Sequence, residues 1–571
     1  NRLAVQTQMQ ADGRVQICVD AELQEAQSFH VNQQVLGDVQ VSHGTIERGI
    51  WTVPADASSA TLNARMNVVP DPWRPELNTF EHARQRLLTV PGQAQLPAGY
   101  HIEDYFPPKD NYGREQLFEG LGLDVAPDGT LVVATRTAGI WRLKDGEWHL
   151  FADGLFDSLG LIVEDEQGLS MVVSQKAELT RITDTNGDGR ADMFETLFDA
   201  HSFHGNYHTY MHGPAQDDQG NYYVVINLAH ADEAIYKADG QFMGSHGGLL
   251  GWAIQVTPQG EFKLWANGLR SAAGLSKAPD GRLWVADNQG EYVSTSKLYV
   301  LEEGKFYGHP SGLVDLPGMG PGSPEIAWER VADTREREVA LLPQNRLSNS
   351  PGHPIWDNTG GRFSPFAGQL FIGDQTHSNL LRMDTEVVNG SEQGVIIPFV
   401  SGLASGAIRP AFLPDGSLLL GQTGRGWQSR GGHVASLQRI YWDGETIEPT
   451  IETVKATADG FDVHLTHPVD ADLDEQALAA RFALESWTYR DAPDYGSEEL
   501  DRRIEDVRGA RLSADRKVVS LALSTTEIPQ VHPQQVGRLY QITLDVGADL
   551  FSGPAPEKLS AYYSLYQFAS P

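Results

Sequence analysis

The chain has 571 residues, too many for one compact core, and its 40% hydrophobic and 9% aromatic content is that of a globular protein. Its 76 acidic and 43 basic residues give a net charge of −33, which sets nucleic acid and anionic membrane aside as partners. One cysteine, Cys18, excludes an intrachain disulfide and a thiolate metal cluster, and no run of about 18 apolar residues supplies a transmembrane helix. Strong acidity and scarce cysteine fit a bacterial protein of the periplasm or the exterior.

Residues 1–95 alternate polar and apolar, as in "GRVQICVDAELQ" and "WTVPADASSATLNARM". They read as a small β-rich domain or cap, with Cys18 a buried small hydrophobe in one of its strands. From 96 to 445 one unit recurs: a Gly- or Pro-marked turn, four or five apolar residues, then a second short strand. Copies include "VAPDGTLVVATRTAGIWRL", "AQDDQGNYYVVINL", "KAPDGRLWVADNQG" and "SPFAGQLFIGDQTHSNLLRM". A hairpin of this kind cannot bury both faces alone, and radial packing of such sheets solves that. The reading is all-β: a β-propeller of six blades, with a degenerate seventh in 311–360 as the alternative. Residues 446–571 ("DGFDVHLTHPVD", "KVVSLALS", "LYQITLDVGADLFSG") read as an immunoglobulin-like β-sandwich.

Within the propeller, "DTNGDGRADMFE" matches the twelve-residue calcium loop. Oxygen ligands fall at Asp184, Asn186, Asp188 and Asp192, Arg190 offers its carbonyl, and Glu195 stands where a bidentate carboxylate belongs. The preceding "AELTRI" is a strand, so a lone, structural calcium loop is expected rather than an EF-hand. Next comes "HSFHGNYHTYMHGP". In an extended chain His204, His208 and His212 point the same way, and neutral His serves as general base or metal ligand. His204 and His208 are the candidate bases, with Tyr210 beside them and His212 toward substrate. Loops between propeller strands crowd one mouth of the channel, where ligands bind.

The stretch "NGLRSAAGLSKAPDGRLWVADNQGEYVSTSKLYVLEEGKFYGHPSG" resembles the glucose/sorbosone dehydrogenases, six-bladed propellers that use pyrroloquinoline quinone (PQQ) and calcium. "SLGLIVEDEQGLSMVVSQKAELTRITDTNGDGRADMFE" and "GQTGRGWQSRGGHVASLQRIYW" resemble a bacterial subgroup, the membrane-bound dehydrogenase domain proteins. The resemblance covers roughly 96–500. It implies that Arg270 contacts quinone carboxylates or substrate, and that His204 or His208 takes the sugar hydroxyl proton while hydride passes to the quinone. It also implies that Gln289 and Gly290 offer carbonyls to a cofactor-bound calcium and that Arg409 is a second cofactor cation. The chain departs from the family pattern in three places. Ser271 follows the arginine where the family has Asn, His377 stands near where a fifth-blade Lys is expected, and there is no CxxCH haem motif. "GRGWQSRGG" places Arg425 and Trp427 in a glycine-rich loop, where Trp427 can stack on a sugar.

Three functions compete. The first is a PQQ-dependent sugar or alcohol dehydrogenase with an unspecified electron acceptor. The second is a propeller polysaccharide lyase, in which His or Tyr removes the proton beside a uronate carboxylate neutralised by Arg270 or a metal. The third is a glycan-binding propeller without catalysis, in which the His cluster and Arg270 need not converge.

Overall fold

The computed structural model describes residues 2–9, 14–22, 27–30, 39–42, 45–47, 50–54, 59–65, 84–110, 113–203, 205–230, 243–245 and 247–570. Among them the chain is almost entirely β, and six antiparallel sheets form a ring. The innermost strands are Gly120–Val125, Gly160–Val163, Met211–Gln216, Ala272–Lys277, Pro351–Trp356 and Ala407–Phe412. Each lies against the next, and the first lies against the sixth, so the ring is closed. Blade six is completed by a strand from the start of the propeller: Tyr100–Tyr105 pairs with Ala435–Trp442. This closure ties the two ends of the ring together.

Small residues make the ring possible. A Cβ on Gly160 would lie 1.7 Å from the carbonyl oxygen of Gly213 in the next blade, and one on Gly421 1.7 Å from that of Gly120. Neighbouring backbones touch there, and any side chain would push the blades apart. Outward from the channel, the second strands are fully buried: Leu131–Thr135, Tyr222–Ile226, Leu283–Asp287 and Leu370–Asp374 expose no residue. Their Val, Leu and Ile side chains fill the layers between blades, each worth about 1.5–3 kcal/mol when buried.

No seventh blade exists among the described residues. Residues 311–360 hold 3-10 turns (Pro310–Asp315, Pro324–Ile326), a one-turn helix (Trp328–Val331), the outer strand of blade four (Ala340–Leu342) and the inner strand of blade five. The propeller also starts before residue 96, since Arg84–Arg86 pairs with blade one and Thr89–Pro91 with blade six. Ahead of that, Arg14–Glu22 pairs with Arg2–Met9 and Ser59–Arg65, and Cys18 on it is half-buried rather than buried.

Residues from about 446 form two packed sheets. One orders Ile451–Ala456, Gly460–Leu465, Val518–Leu523 and Val507–Leu512; the other orders Lys558–Leu565, Arg538–Asp545, Phe482–Thr488 and Leu500–Glu505. Phe461, Val519, Leu521, Ile542 and Tyr563 pack between them. We propose on this strand order that the sandwich is immunoglobulin-like. It does not hang from a linker: Lys558–Leu565 pairs with Ser391–Val400, the outer strand of blade five, so the blade and half the sandwich are one sheet.

Candidate functional site

At one mouth of the channel a pocket of about 1000 Å³, open to solvent, is lined by Arg136, Tyr207, His208, Tyr210, His212, Asn227, His230, Arg270, Ser271, Asn288, Gln289, Gln344, Gln375, Arg425, Trp427 and Tyr495. Seven residues expected from the sequence meet here: His208, Tyr210, His212, Arg270, Gln289, Arg425 and Trp427. His204 lies outside the described residues.

Arg270 precedes the inner strand of blade four. Asp287, at the end of the next strand, accepts the backbone N–H groups of Arg270 (2.9 Å) and Ser271 (2.7 Å), which fixes the turn that aims the arginine. The buried guanidinium donates from Nε to Glu291 (3.0 Å). Its two terminal nitrogens make no hydrogen bond among the described residues. Planar N–H groups left unpaired in a pocket are a seat for a carboxylate.

His208 lies on the wall beside it. Its Nδ1 is 3.0 Å from the carbonyl of Leu228, so Nδ1 carries the proton and Nε2 presents a lone pair toward Ser271 Oγ, 3.3 Å away. Asn206 holds this corner by accepting the N–H groups of His208 (3.1 Å) and His230 (3.0 Å). The surrounding protein, reinforced by the charge of Arg270, pushes the His208 pKa down to about 3, so the ring is neutral at ordinary pH. Tyr210 accepts a hydrogen bond from Arg136 Nη2 (2.8 Å), and Arg136 is held by Asp157 (2.8 Å). Burial raises the Tyr210 pKa against the opposing pull of Arg136, which keeps the phenol protonated. Arg425 pairs with the fully buried Glu119 and so braces the rim.

Behind the pocket wall lie polar atoms with no partner among the described residues. Asn227 Oδ1, Asn288 Oδ1, Gln344 Oε1 and His212 Nδ1 are buried and unpaired. Such groups cost about 1–3 kcal/mol each unless a ligand or water satisfies them. Around the rim stand three exposed aromatics from different elements: Tyr207 (42% exposed), Trp427 (48%) and Tyr495 (52%).

Several of these residues escaped the sequence reading. Arg136, Asn227, Asn288 and Gln375 each follow directly on the last residue of the second strand in blades one, three, four and five. Superposing the repeats would have found them, because that position faces the mouth in these four blades. Tyr495 had no comparable signal; it comes from the C-terminal sandwich.

Other expected residues lie elsewhere. Arg409 sits inside the channel among residues that include Gly160, His353 and Phe412, and it does not itself line the mouth pocket. Its guanidinium is spent on the carbonyls of Leu121 (2.8 Å) and Leu159 and on His353 Nδ1 (2.6 Å), so it is not a mouth cation. Burial lowers its pKa to about 10. His377 does not line the pocket; its Nε2 contacts Asn349, which does (3.0 Å). Gly290 does not offer a free carbonyl seat, since its oxygen accepts the N–H of Gly496 (2.9 Å).

The loop at 184–195 departs from the calcium template at its last position. Glu195 lies on the strand Met193–Phe198 opposite Arg181 and pairs with it at 2.8 Å, so it is not the bidentate ligand. Asp184 accepts the N–H groups of Gly187 (2.7 Å) and Gly189 (2.8 Å), and Asp192 accepts from Thr185 (2.8 Å). Asn186 and Asp188 accept the N–H groups of Asp188 and Arg190, both at 2.9 Å. Among the described residues no group of three His, Cys, Asp or Glu side chains is placed to hold a metal.

In structure the chain is similar to a Thermus thermophilus oxidoreductase titled a glucose dehydrogenase (18% identity, 60% of this chain and 100% of that one, TM-score 0.43). It is also similar to the PQQ-bound aldose sugar dehydrogenase of Streptomyces coelicolor (16% identity, 61% and 99%, TM-score 0.42). A carbohydrate-active enzyme of Trichoderma reesei matches at 11% identity, 63% and 100% coverage and a TM-score of 0.44. No protein-family model matches the chain, and no curated protein sequence does.

Proposed function

We propose that the mouth pocket is the active site of a carbohydrate-active enzyme that takes a proton from a sugar bearing a carboxylate. The supporting observation is that His208 and Arg270, whose terminal nitrogens make no hydrogen bond among the described residues, line one pocket together with Asn227, Asn288 and Gln344, and burial keeps the His208 ring neutral. A uronate fits this set. Its carboxylate would take the Arg270 fork, its hydroxyls the Asn227, Asn288 and Gln344 oxygens, and its ring an aromatic face.

Elimination is the chemistry these residues favour. His208 Nε2 takes the proton on the carbon beside the carboxylate. The C–H electron pair becomes a carbon–carbon double bond, the glycosidic C–O bond on the next carbon breaks, and Tyr210 gives its proton to the leaving oxygen. Arg270 stabilises the charge that gathers on the carboxylate in the transition state. Burial does most to make His208 a weak base, and Arg270 adds to it. A substrate carboxylate bound to Arg270 cancels that part and raises His208 basicity when substrate arrives.

A PQQ-dependent dehydrogenase is the second reading, because the Arg270 fork would take a quinone carboxylate equally well. The residues present do not fit the quinone and its calcium as the resemblance implies: the Gly290 carbonyl is engaged by Gly496, Arg409, the expected second cofactor cation, is spent inside the channel, and among the described residues no group of three His, Cys, Asp or Glu side chains is placed to hold a metal. No step is routed through that group. Structural calcium at Asp184, Asn186, Asp188 and Asp192, and a periplasmic or secreted location, belong to this proposal as expectations from the sequence.

The deciding experiment incubates the protein with uronate-containing glycans and follows the absorbance of an unsaturated product. In parallel, sugars are offered with PQQ, calcium and an electron-accepting dye. Unsaturated product without dye reduction supports elimination. Dye reduction without unsaturated product overturns it in favour of the dehydrogenase.

A further inference from the structure

The mouth pocket is not built by the propeller alone. The segment 491–497 of the C-terminal sandwich lies across blade four and is anchored at several points. Asp491, buried, receives both Lys297 Nζ (2.7 and 2.6 Å) and the backbone N–H of Ser294 (3.0 Å), with Arg335 3.2 Å away. Tyr292 N–H donates to Ala492 O (2.7 Å), Gly496 N–H to Gly290 O (2.9 Å) and Ser497 N–H to Ser294 O (2.9 Å). Gly496 has φ +70°, and a Cβ there would lie 2.8 Å from the Gln289 side chain, so the segment packs directly on that side chain. These contacts fix the position of Tyr495. Its ring centre lies 5.1 Å from the guanidinium carbon of Arg270, yet half of the side chain is exposed.

We propose that Tyr495 is a ligand-contacting residue that sets the length of carbohydrate the site accepts: its ring is the platform for a second sugar, next to the unit whose carboxylate pairs with Arg270. The inference rests on the uronate reading of the pocket. A single uronate is fully served by Arg270 and the acceptors of the pocket and has no use for an aromatic surface outside them. A rigidly mounted, half-exposed ring beside the carboxylate seat presents an apolar face to the C–H face of the adjoining sugar. Trp427 and Tyr207 stand exposed on other elements of the same rim, so the surroundings of the pocket suit a chain rather than a free monosaccharide. The sandwich domain thereby belongs to the substrate site.

The test is calorimetric titration of the full chain with galacturonic acid and with a galacturonate trimer, for the native protein, Tyr495→Ala and Tyr495→Phe. Melting temperatures confirm that all three fold. The expected result is that the native protein and Tyr495→Phe bind the trimer more tightly than the monomer. Tyr495→Ala loses about tenfold on the trimer, the size of one well-stacked ring contact, and nothing on the monomer. If the native preference for trimer survives in Tyr495→Ala, the platform is refuted while the uronate reading stands. If the native protein binds neither probe, the uronate reading fails and takes the platform with it. Equal loss on monomer and trimer also refutes the platform, because it makes Tyr495 only a support for Arg270.

Discussion

Gly290 is bare because Arg270 occupies the space beside it: a Cβ on Gly290 would lie 1.9 Å from the guanidinium carbon of Arg270. The residue the sequence marked as a carbonyl donor acts instead as the floor on which the arginine lies. Gly290→Ala should therefore displace the guanidinium without unfolding the blade. We expect uronate binding to weaken by about 10- to 100-fold, the worth of a charge-assisted hydrogen-bonded pair, with Arg270→Ala giving the same loss. Titration calorimetry beside a melting curve checks both halves, since a large fall in melting temperature would point to misfolding.

His208→Gln keeps a polar side chain on the wall and removes the base. Turnover should fall by about 10²–10⁴ with little change in KM, the range for loss of a positioned acid–base group. Because surrounding protein and Arg270 hold the His208 pKa down to about 3, the native activity profile should show no acid limb near pH 6.5. A limb at that pH, absent from a variant lacking His208, would assign the titrating base an ordinary histidine environment and contradict the geometry.

Asp491 joins the two domains through a buried ion pair. Burial alone would raise its pKa, yet Lys297 and Arg335 outweigh that and hold it below the usual carboxylate range. Asp491→Ala leaves Lys297 buried without its nearest carboxylate and should cost about 3–5 kcal/mol. Chemical denaturation measures it. The sign with pH follows: the stabilisation is fully present above the ordinary aspartate pKa of about 3.9 and is lost as pH falls through the lower folded value.

Acid should act earlier through the histidines. Burial lowers the pKa values of His212 and His309 well below the ordinary value, and that of His208 to about 3. Between about pH 6.5 and these lower values the unfolded chain binds protons that the folded chain does not. Stability therefore falls as pH drops below about 6.5 and is flat just above it. Melting temperatures taken across pH 4–8 check this, and a curve that is level down to pH 4 would contradict it.

For the loop at 184–195, calcium added after chelation should raise the melting temperature if Asp184, Asn186, Asp188 and Asp192 hold the ion. Glu195→Gln should leave that rise unchanged, because Glu195 is paired with Arg181. Loss of the rise in this variant would mean that the loop closes on the ion as a complete template.

Much of this molecule is legible in one dimension, and the reason is periodicity. The repeated turn-and-strand unit betrays sheets that must pack against copies of themselves, so a propeller follows from the sequence, while the strands that complete blades one and six from the start of the ring do not. The clustering of His208, Tyr210 and His212 near Arg270 is legible for the same reason, since equivalent positions of the repeat face the same mouth. Glu195 shows where the reading breaks. A motif records spacing along the chain, but the strand that carries Glu195 turns its side chain to Arg181, and register rather than spacing chose that partner.

Residue order alone implied a propeller with a binding mouth and named seven of the residues that line it. Tertiary structure alone decided which charges are free. Both arginines are buried, Arg409 on an inner strand and Arg270 just before one, yet Arg409 is exhausted by two backbone carbonyls and His353 in the channel while Arg270 keeps two terminal nitrogens unpaired among the described residues. Only the fold placed Tyr495 on the site, because the contact joins segments far apart in the chain. Hydrogen-bond partners are set by proximity in space, and across domains no local pattern in a sequence encodes it.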